Sequence, residues 1–166
     1  WEIAGEDPGS VSAIKAHGTS TRVGDATELQ SLTDVFGAAG ARPRTVALGS
    51  VKSNIGHLKA AAGAAGMFKM VRSLHDKVLA PSLHFVDPNP NVDWCTSPFA
   101  VNTELREWAT PPSGVRRAGV SAFGSISSAS IPGLPVPTPI SKRPSVNTDS
   151  EWASHAVLHA GRSGEA

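Results

Sequence analysis

The feature that most constrains the fold is a strand–loop–helix pattern that occurs twice in the first half of the chain. An alternating segment, residues 11–16, leads into a loop and then into a helix predicted over 25–38 from apolar residues at helical spacing. A compact apolar run over 46–51 leads into the turn 52–57 and then into a second helix, predicted over 58–75. Two such units in succession predict parallel strands covered by helices, which is the α/β class.

The remainder of the chain contains two further strand-like segments and a long irregular one. Prolines interrupt the connecting segment 81–94, and apolar runs over 99–103 and 117–123 predict strands. Residues 125–150 are rich in serine and proline without a sustained period, which predicts a loop or a disordered segment. A short helix over 152–159 is only weakly indicated.

The composition gives no sign of a nucleic-acid or membrane partner. The 166 residues carry a formal net charge of +1, and the basic residues are scattered along the chain. The most apolar stretch, residues 60–70, is too short to span a bilayer and contains glycines and a lysine, which favours a buried helix. The single cysteine, Cys95, excludes an internal disulfide framework and is typical of a reducing cytoplasm, the location that we expect. Because Trp1 replaces a starting methionine and no signal-peptide pattern follows, we expect the sequence to begin within a longer protein.

A histidine follows each of the two predicted strands of the repeated pattern. His17 and His57 both lie where parallel strands present their carboxyl ends, so both could project into one cleft, although the sequence does not place the strands side by side. His57 also precedes a helix, whose dipole disfavours an imidazolium, and the Lys52 cation would act in the same direction. A neutral imidazole can donate a hydrogen bond to an oxygen that is gaining negative charge. The alternative from spacing alone is that both histidines are surface or capping residues.

Other small and titratable residues give weaker signals. Gly56, Gly63 and Gly66 are costly in or beside a helix, which indicates close backbone packing or the approach of a ligand. His155 and His159 have a spacing that could place two metal ligands on one helix face. Without a third ligand nearby in sequence, surface histidines are the favoured interpretation, and no metal site is predicted.

Four blocks of sequence resemble those of one enzyme family. Residues 16–28, AHGTST followed by GDATE, resemble the AHGTxT…GDxxE block of β-ketoacyl synthases. Residues 49–63, GSVKSNIGHLKAAAG, resemble the GSVKSNIGHxxxAAG block of the same family. Residues 81–90 match the connecting segment of polyketide-type synthases, and residues 117–124, RAGVSAFG, match the start of the final strand block. The blocks follow one another in the family's order, from about Ser12 to Gly124.

The resemblance implies a fold. Members of the family have the thiolase-like fold, in which two similar α/β halves stack into a five-layered sandwich. This chain resembles most of the C-terminal half, for which we expect a mixed sheet covered by helices over residues 1–124. Residues 125–166 are expected to form an irregular or disordered Pro/Ser-rich tail.

The resemblance also implies a chemistry, decarboxylative Claisen condensation of acyl and malonyl thioesters in polyketide or fatty-acid biosynthesis. The two histidines would stabilise the enolate, Lys52 would sustain the local charge network with Glu28 as its acidic partner, and the threonines would bind the phosphopantetheine arm. The implied catalytic residues are His17, His57, Lys52 and Glu28, and the implied substrate-binding residues are Thr19, Thr21, Asn54, Gly56 and Phe123.

Three departures from the family pattern stand out. The cysteine nucleophile belongs to an upstream block that is absent here, and Cys95 cannot replace it because it lies in the connecting segment. After Gly124 the glycine-rich loop of the family is replaced by residues 125–130, SISSAS, which we interpret as a frame change or an altered junction that the coding DNA would reveal. Lys15 occupies a position at which the polyketide pattern usually has glutamate.

These observations favour a truncated β-ketoacyl synthase, an acyltransferase that would be inactive alone. It would bind no cofactor itself, since the substrate is carried on the phosphopantetheine of acyl carrier protein. Its partners would be that carrier protein, the N-terminal half of the ketosynthase and a second copy in a homodimer. Two alternatives stay open: a non-enzymatic interaction fragment, and a partner that decarboxylates malonyl thioesters without elongating them.

Overall fold

The computed structural model describes residues 5–124 and the backbone of residues 152–160. The strands are β1 (Ala13–Lys15), β2 (Val46–Gly49), β3 (Val78–Leu79), β4 (Phe99–Val101), β5 (Arg106–Glu107), β6 (Arg116–Gly124) and β7 (Trp152–Ala160). The helices are α1 (Arg22–Ala38), α2 (Lys52–Ile55) and α3 (Ala62–Asp76). Short 3-10 turns lie at Pro8–Ser10 and Lys59–Ala61.

The main sheet within the described residues is mixed and has the strand order β4-β2-β1-β6-β7. Strand β1 pairs in parallel with β2, with Ile14 beside Leu48, and also in parallel with β6, with Ile14 beside Gly119. Strand β4 extends the parallel set beyond β2, and β7 pairs antiparallel with β6. The two histidine-bearing units therefore lie side by side, a placement that the sequence left open.

Helices cover the sheet on both faces, and the alternation along β1 shows why. Ile14 belongs to a buried cluster with Leu29, Leu32 and Phe36 of α1. Its neighbour Ala13 points to the opposite face and belongs to a second buried cluster. That second cluster contains Ala13, Ala47, Met70, Leu74, Leu79, Trp108, Ala118 and Val120. A strand whose two faces are both buried is typical of parallel sheets, and it gives each helix its own apolar layer.

Two predictions from local pattern are wrong. The turn predicted at 52–57 begins with a short helix, α2, and the second long helix begins only at Ala62, after a 3-10 turn. The helix predicted over 152–159 is the strand β7, which pairs with β6 along its length. Pairing at the edge of a sheet supplies hydrogen bonds that a local pattern does not reveal. The irregular tail predicted from residue 125 onward is therefore not irregular over 152–160, whereas the prediction for 125–150 lies outside the described residues.

No helix in the described part of the chain is long and apolar enough to cross a membrane.

Candidate active site

His17 begins the loop that follows β1, and a carboxylate fixes the backbone there. The two oxygens of Glu28, on α1, accept the main-chain N–H groups of His17 at 2.6 Å and of Gly18 at 3.0 Å. Gly18 has φ of +46°, and an added Cβ would lie 3.1 Å from Ser50 Cβ, so the loop needs glycine at this point. Asp25 accepts the N–H of Thr19 at 3.1 Å and so holds the next residue of the loop. The first turns of α1 thus set the course of the chain around His17.

The imidazole of His17 is held from the opposite side by β6. The main-chain N–H of Phe123 donates to His17 Nδ1 at 3.1 Å, and the two aromatic rings meet edge to face with centroids 5.0 Å apart. A ring nitrogen that accepts an N–H must offer a lone pair, so neutral His17 carries its proton on Nε2. The contact explains how a residue near the end of β6 sets the tautomer of a residue at the end of β1.

Lys52 reinforces the same protonation state. Its Nζ lies 3.3 Å from His17 Nδ1 and also donates to the main-chain oxygen of His17. Burial lowers the pKa of His17 to about 4, and the cations of Lys52 and Lys15 and the neighbouring His57 act in the same direction. His17 is therefore neutral throughout the physiological pH range. A neutral imidazole can donate its N–H to an oxyanion without giving up that proton.

His57 lies close to His17 and is held in the same way. The two rings are nearly perpendicular, with centroids 5.9 Å apart. The N–H of Lys59 donates to His57 Nδ1 at 3.0 Å, so neutral His57 also carries its proton on Nε2. Loss of hydration lowers the pKa of His57, and the positive charges of Lys52 and Lys59 lower it further. Both imidazoles thus accept a main-chain N–H at Nδ1 and present an Nε2–H donor.

Glu28 and Lys52 interact through charge. Both Glu28 oxygens accept main-chain N–H groups, so the carboxylate acts on Lys52 only through its charge. Burial lowers the pKa of Lys52, and the negative charge of Glu28 opposes that shift by favouring the ammonium form. Burial also raises the pKa of Glu28 itself, although the two N–H groups oppose that shift. The pair therefore supports the loop around His17 and stabilises the charge beside it.

Asn54, on α2, has its side chain engaged in a structural network. Its Nδ2 donates to the main-chain oxygen of Pro81 at 3.1 Å, and its Oδ1 accepts from Lys69 Nζ at 2.9 Å. Lys69, on α3, also donates to Pro81 O at 2.9 Å and approaches Ser50 O at 3.4 Å. These contacts tie the β2–α2 turn to α3 and to the segment after β3.

A cavity of about 700 Å³ opens beside His57, between the loop that precedes α1 and the segment 82–90, and His17 is not among the residues that line it. Thr19 and Thr21 line it, together with Lys52, Glu28 and His57. Gly56, with φ of +77°, lets the chain turn from α2 into His57. The structure therefore gathers most of the predicted site residues around one cavity, while Phe123 stands behind His17 and Asn54 faces the supporting network.

Sequence reasoning missed the supporting lysines of this site. Lys15 is buried with 1% of its surface exposed, and Lys69 lies at the centre of three hydrogen bonds, yet lysine is almost always read as a surface residue. The available signals were the glutamate expected at position 15 and the lone lysine within the apolar stretch 60–70. Cys95 is exposed, and its N–H donates to Asp93. Within the described residues no group of three histidine, cysteine or acidic side chains could hold a metal ion.

The helix-covered mixed sheet places the two histidines after adjacent parallel strands, and comparison with known proteins gives the family. The family model described as Beta-ketoacyl synthase, C-terminal domain, matches residues 1–86. The chain belongs to the β-ketoacyl synthase family.

Relatives and solved structures narrow the similarity to polyketide synthases. Polyketide synthase ThaG of Burkholderia thailandensis is 48% identical over 74% of this chain, and polyketide synthase PksL of Bacillus subtilis is 45% identical over 75% of it. The ketosynthase from module 6 of the bacillaene synthase of Bacillus subtilis superposes with a TM-score of 0.71 at 46% identity over 74% of this chain. The ketosynthase from module 1 of the bacillaene synthase of Bacillus amyloliquefaciens gives 0.69 at 39% identity over 74%.

The chain spans only part of each of these proteins. The matches cover 2% of ThaG, 3% of PksL, and 22% and 21% of the two solved ketosynthase chains.

Proposed function

We propose that this chain forms part of a β-ketoacyl synthase in which His17 and His57 stabilise the enolate formed when a malonyl thioester loses carbon dioxide. The observation that carries the proposal is the matched pair of imidazoles, each of which accepts a main-chain N–H at Nδ1. Two neutral Nε2–H donors, with ring centroids 5.9 Å apart, suit one thioester oxygen that becomes anionic.

The reaction proceeds in two steps, decarboxylation and carbon–carbon bond formation. The bond between the malonyl carboxylate carbon and the adjacent methylene breaks, carbon dioxide leaves, and the bonding electrons move toward the thioester oxygen. The two histidine N–H groups stabilise the charge that develops on that oxygen. The enolate carbon then attacks the carbonyl of an acyl thioester, and the thiolate of that thioester leaves. In this proposal the cysteine that carries the acyl group comes from another part of the ketosynthase.

The remaining site residues orient this pair. Lys52 donates a hydrogen bond to the main-chain oxygen of His17, and its positive charge disfavours protonation of the neutral His17 ring. Glu28 fixes the loop by accepting two main-chain N–H groups. Thr19 and Thr21 line a cavity of the size that ligand sites commonly have, and we assign it to the phosphopantetheine arm of an acyl carrier protein. A carrier protein, the rest of the ketosynthase and a second ketosynthase copy are the partners that this function requires, and the cytoplasm is the location that suits it.

The test measures two products from malonyl-carrier protein, labelled carbon dioxide and the β-ketoacyl product. The chain is assayed alone and together with a separately expressed N-terminal ketosynthase segment that carries the cysteine. We expect condensation only in the combined sample, and we expect the substitution His57→Ala to lower it about 10²–10³-fold, as for the loss of one oxyanion donor. His75→Ala, at an exposed histidine on α3, is the matched control and should leave the rate unchanged.

Other outcomes decide between the alternatives. Carbon dioxide release by the chain alone would identify a decarboxylating partner. Capture of carrier protein without either product, in both samples, would identify an interaction fragment. Equal rates for the His57→Ala variant and the unsubstituted chain would contradict the proposed role of the histidine pair.

A further inference from the structure

Lys15 is the most deeply buried charged residue of the described chain, with 1% of its surface exposed. It ends β1, where it lies beside Gly49 of β2 and Val120 of β6. Its stem passes along α3 at Gly66, where an added Cβ would stand 2.6 Å from both Cδ and Cε of the lysine. Glycine at position 66 therefore leaves a slot that the lysine stem fills.

The stem in this slot places the ammonium group of Lys15 against β6. Lys15 Nζ lies 3.4 Å from the main-chain oxygen of Ser121, which is itself buried. Ser121 stands two residues before Phe123, whose N–H donates to His17 Nδ1. Lys15 thus touches the same stretch of β6 that fixes the imidazole, and it also lies two residues before His17 along the chain.

The charges around Lys15 come from three helices. Lys52 of α2 and Lys69 of α3 are positive, and Glu28 of α1 is negative, with both of its oxygens engaged by main-chain N–H groups. Burial, followed by Lys52, lowers the pKa of Lys15 to about 8, so the group is mostly charged at neutral pH. A second proton on His17 would have to enter a region that already holds the cations of Lys15 and Lys52.

We propose that Lys15 is a positioning residue: its buried charge and its contact with β6 keep His17 neutral and protonated on Nε2. The consequence for catalysis rests on the proposed function, whereas the charge effect itself is independent of any activity. Where the polyketide pattern usually has a carboxylate, this chain carries the opposite charge, so the proton affinity of His17 is set differently here.

The test follows the His17 imidazole by NMR titration, assigned with the variant His17→Gln. Lys15→Met keeps an unbranched stem in the slot and removes the charge, and Lys15→Glu reverses the charge. We expect the pKa of His17 to rise in Lys15→Met by about one pH unit, a tenfold gain in proton affinity, and to rise further in Lys15→Glu. The control is Lys77→Met, at an exposed lysine just beyond the far end of α3, which should leave the titration unchanged.

An unchanged His17 titration in folded Lys15→Met would overturn the proposal, as would equal values in the Met and Glu variants, since packing alone does not distinguish their charges. If neither variant folds, the unsubstituted chain still tests the proposal through the titration of His17 itself. A His17 titration near pH 4 supports it, and a titration at the ordinary histidine pKa overturns it. Because none of these readouts requires turnover, a failure here is distinguishable from a failure to find condensation.

Discussion

Replacing Gly66 with alanine measures how tightly the Lys15 stem is confined. In the interior of a helix the substitution alone stabilises by about 1 kcal/mol, because alanine loses less backbone entropy than glycine. The new Cβ would stand 2.6 Å from two carbons of Lys15, and forcing an extra carbon into a packed interior costs about 1–3 kcal/mol. We therefore expect a net loss of about 1 kcal/mol, which lowers the urea midpoint by roughly 0.5 M.

The matched control is Gly37→Ala, also in a helix, where an added Cβ meets nothing within 4 Å. That variant should gain about 1 kcal/mol, the gain expected at Gly66 without the contact, so the difference between the two isolates the contact with Lys15. When Lys15 is already alanine, adding Gly66→Ala should no longer carry the steric cost, since the contacted carbons are then absent. If Gly66→Ala were as stabilising as Gly37→Ala, the lysine would be free to leave its slot, and the reasoning on Lys15 would fail.

Two further predictions concern the loop of His17. Glu28→Gln should lower the free energy of unfolding by about 2 kcal/mol, because glutamine has one oxygen, so one of the two main-chain N–H groups loses its acceptor and the other keeps only a neutral one. Glu104→Gln, at an exposed site, should have little effect, and equal urea midpoints for the two variants would count against the Glu28 contacts. Because the pKa of His17 is about 4 in the folded chain and 6.5 ordinarily, the unfolded chain takes up the proton first as the pH falls. Stability from this residue should be complete above pH 6.5 and decline toward pH 4, by about 1 kcal/mol after allowance for partial exposure. Urea midpoints at several pH values check this, and a His17→Gln variant that declines just as steeply would refute the assignment.

The sequence predicted the parts of the fold that depend on local pattern. The repeated strand–loop–helix units, and the histidine after each strand, follow from apolar spacing and from the motif blocks. Strand β7 could not be predicted, because its hydrogen bonds come from β6 and not from residues within its own segment. The spacing of its histidines, His155 and His159, is compatible with one face of a helix, although the segment is a strand.

The contacts that hold the site residues in place could not be predicted from local sequence patterns either. The N–H that fixes the tautomer of His17 comes from Phe123, 106 residues away. Burial of Lys15 depends on Gly66 across the α3–sheet interface, and no pattern around either residue shows that they meet. The motifs identify which side chains gather at the cavity, while the contacts that set their protonation come from tertiary packing.

The position of β6 between β1 and β7 has a consequence for the order of folding. The β1–β2 pair joins segments close in sequence, whereas β1 and β6 come together only across most of the described chain. Pairing over such separations is slow, because the entropy of closing a long loop is lost before the new contacts stabilise the chain. During synthesis, His17 leaves the ribosome long before Phe123 does. In the nascent chain the His17 proton therefore exchanges between the two ring nitrogens until Phe123 of β6, 106 residues later in the chain, supplies the N–H that selects Nε2.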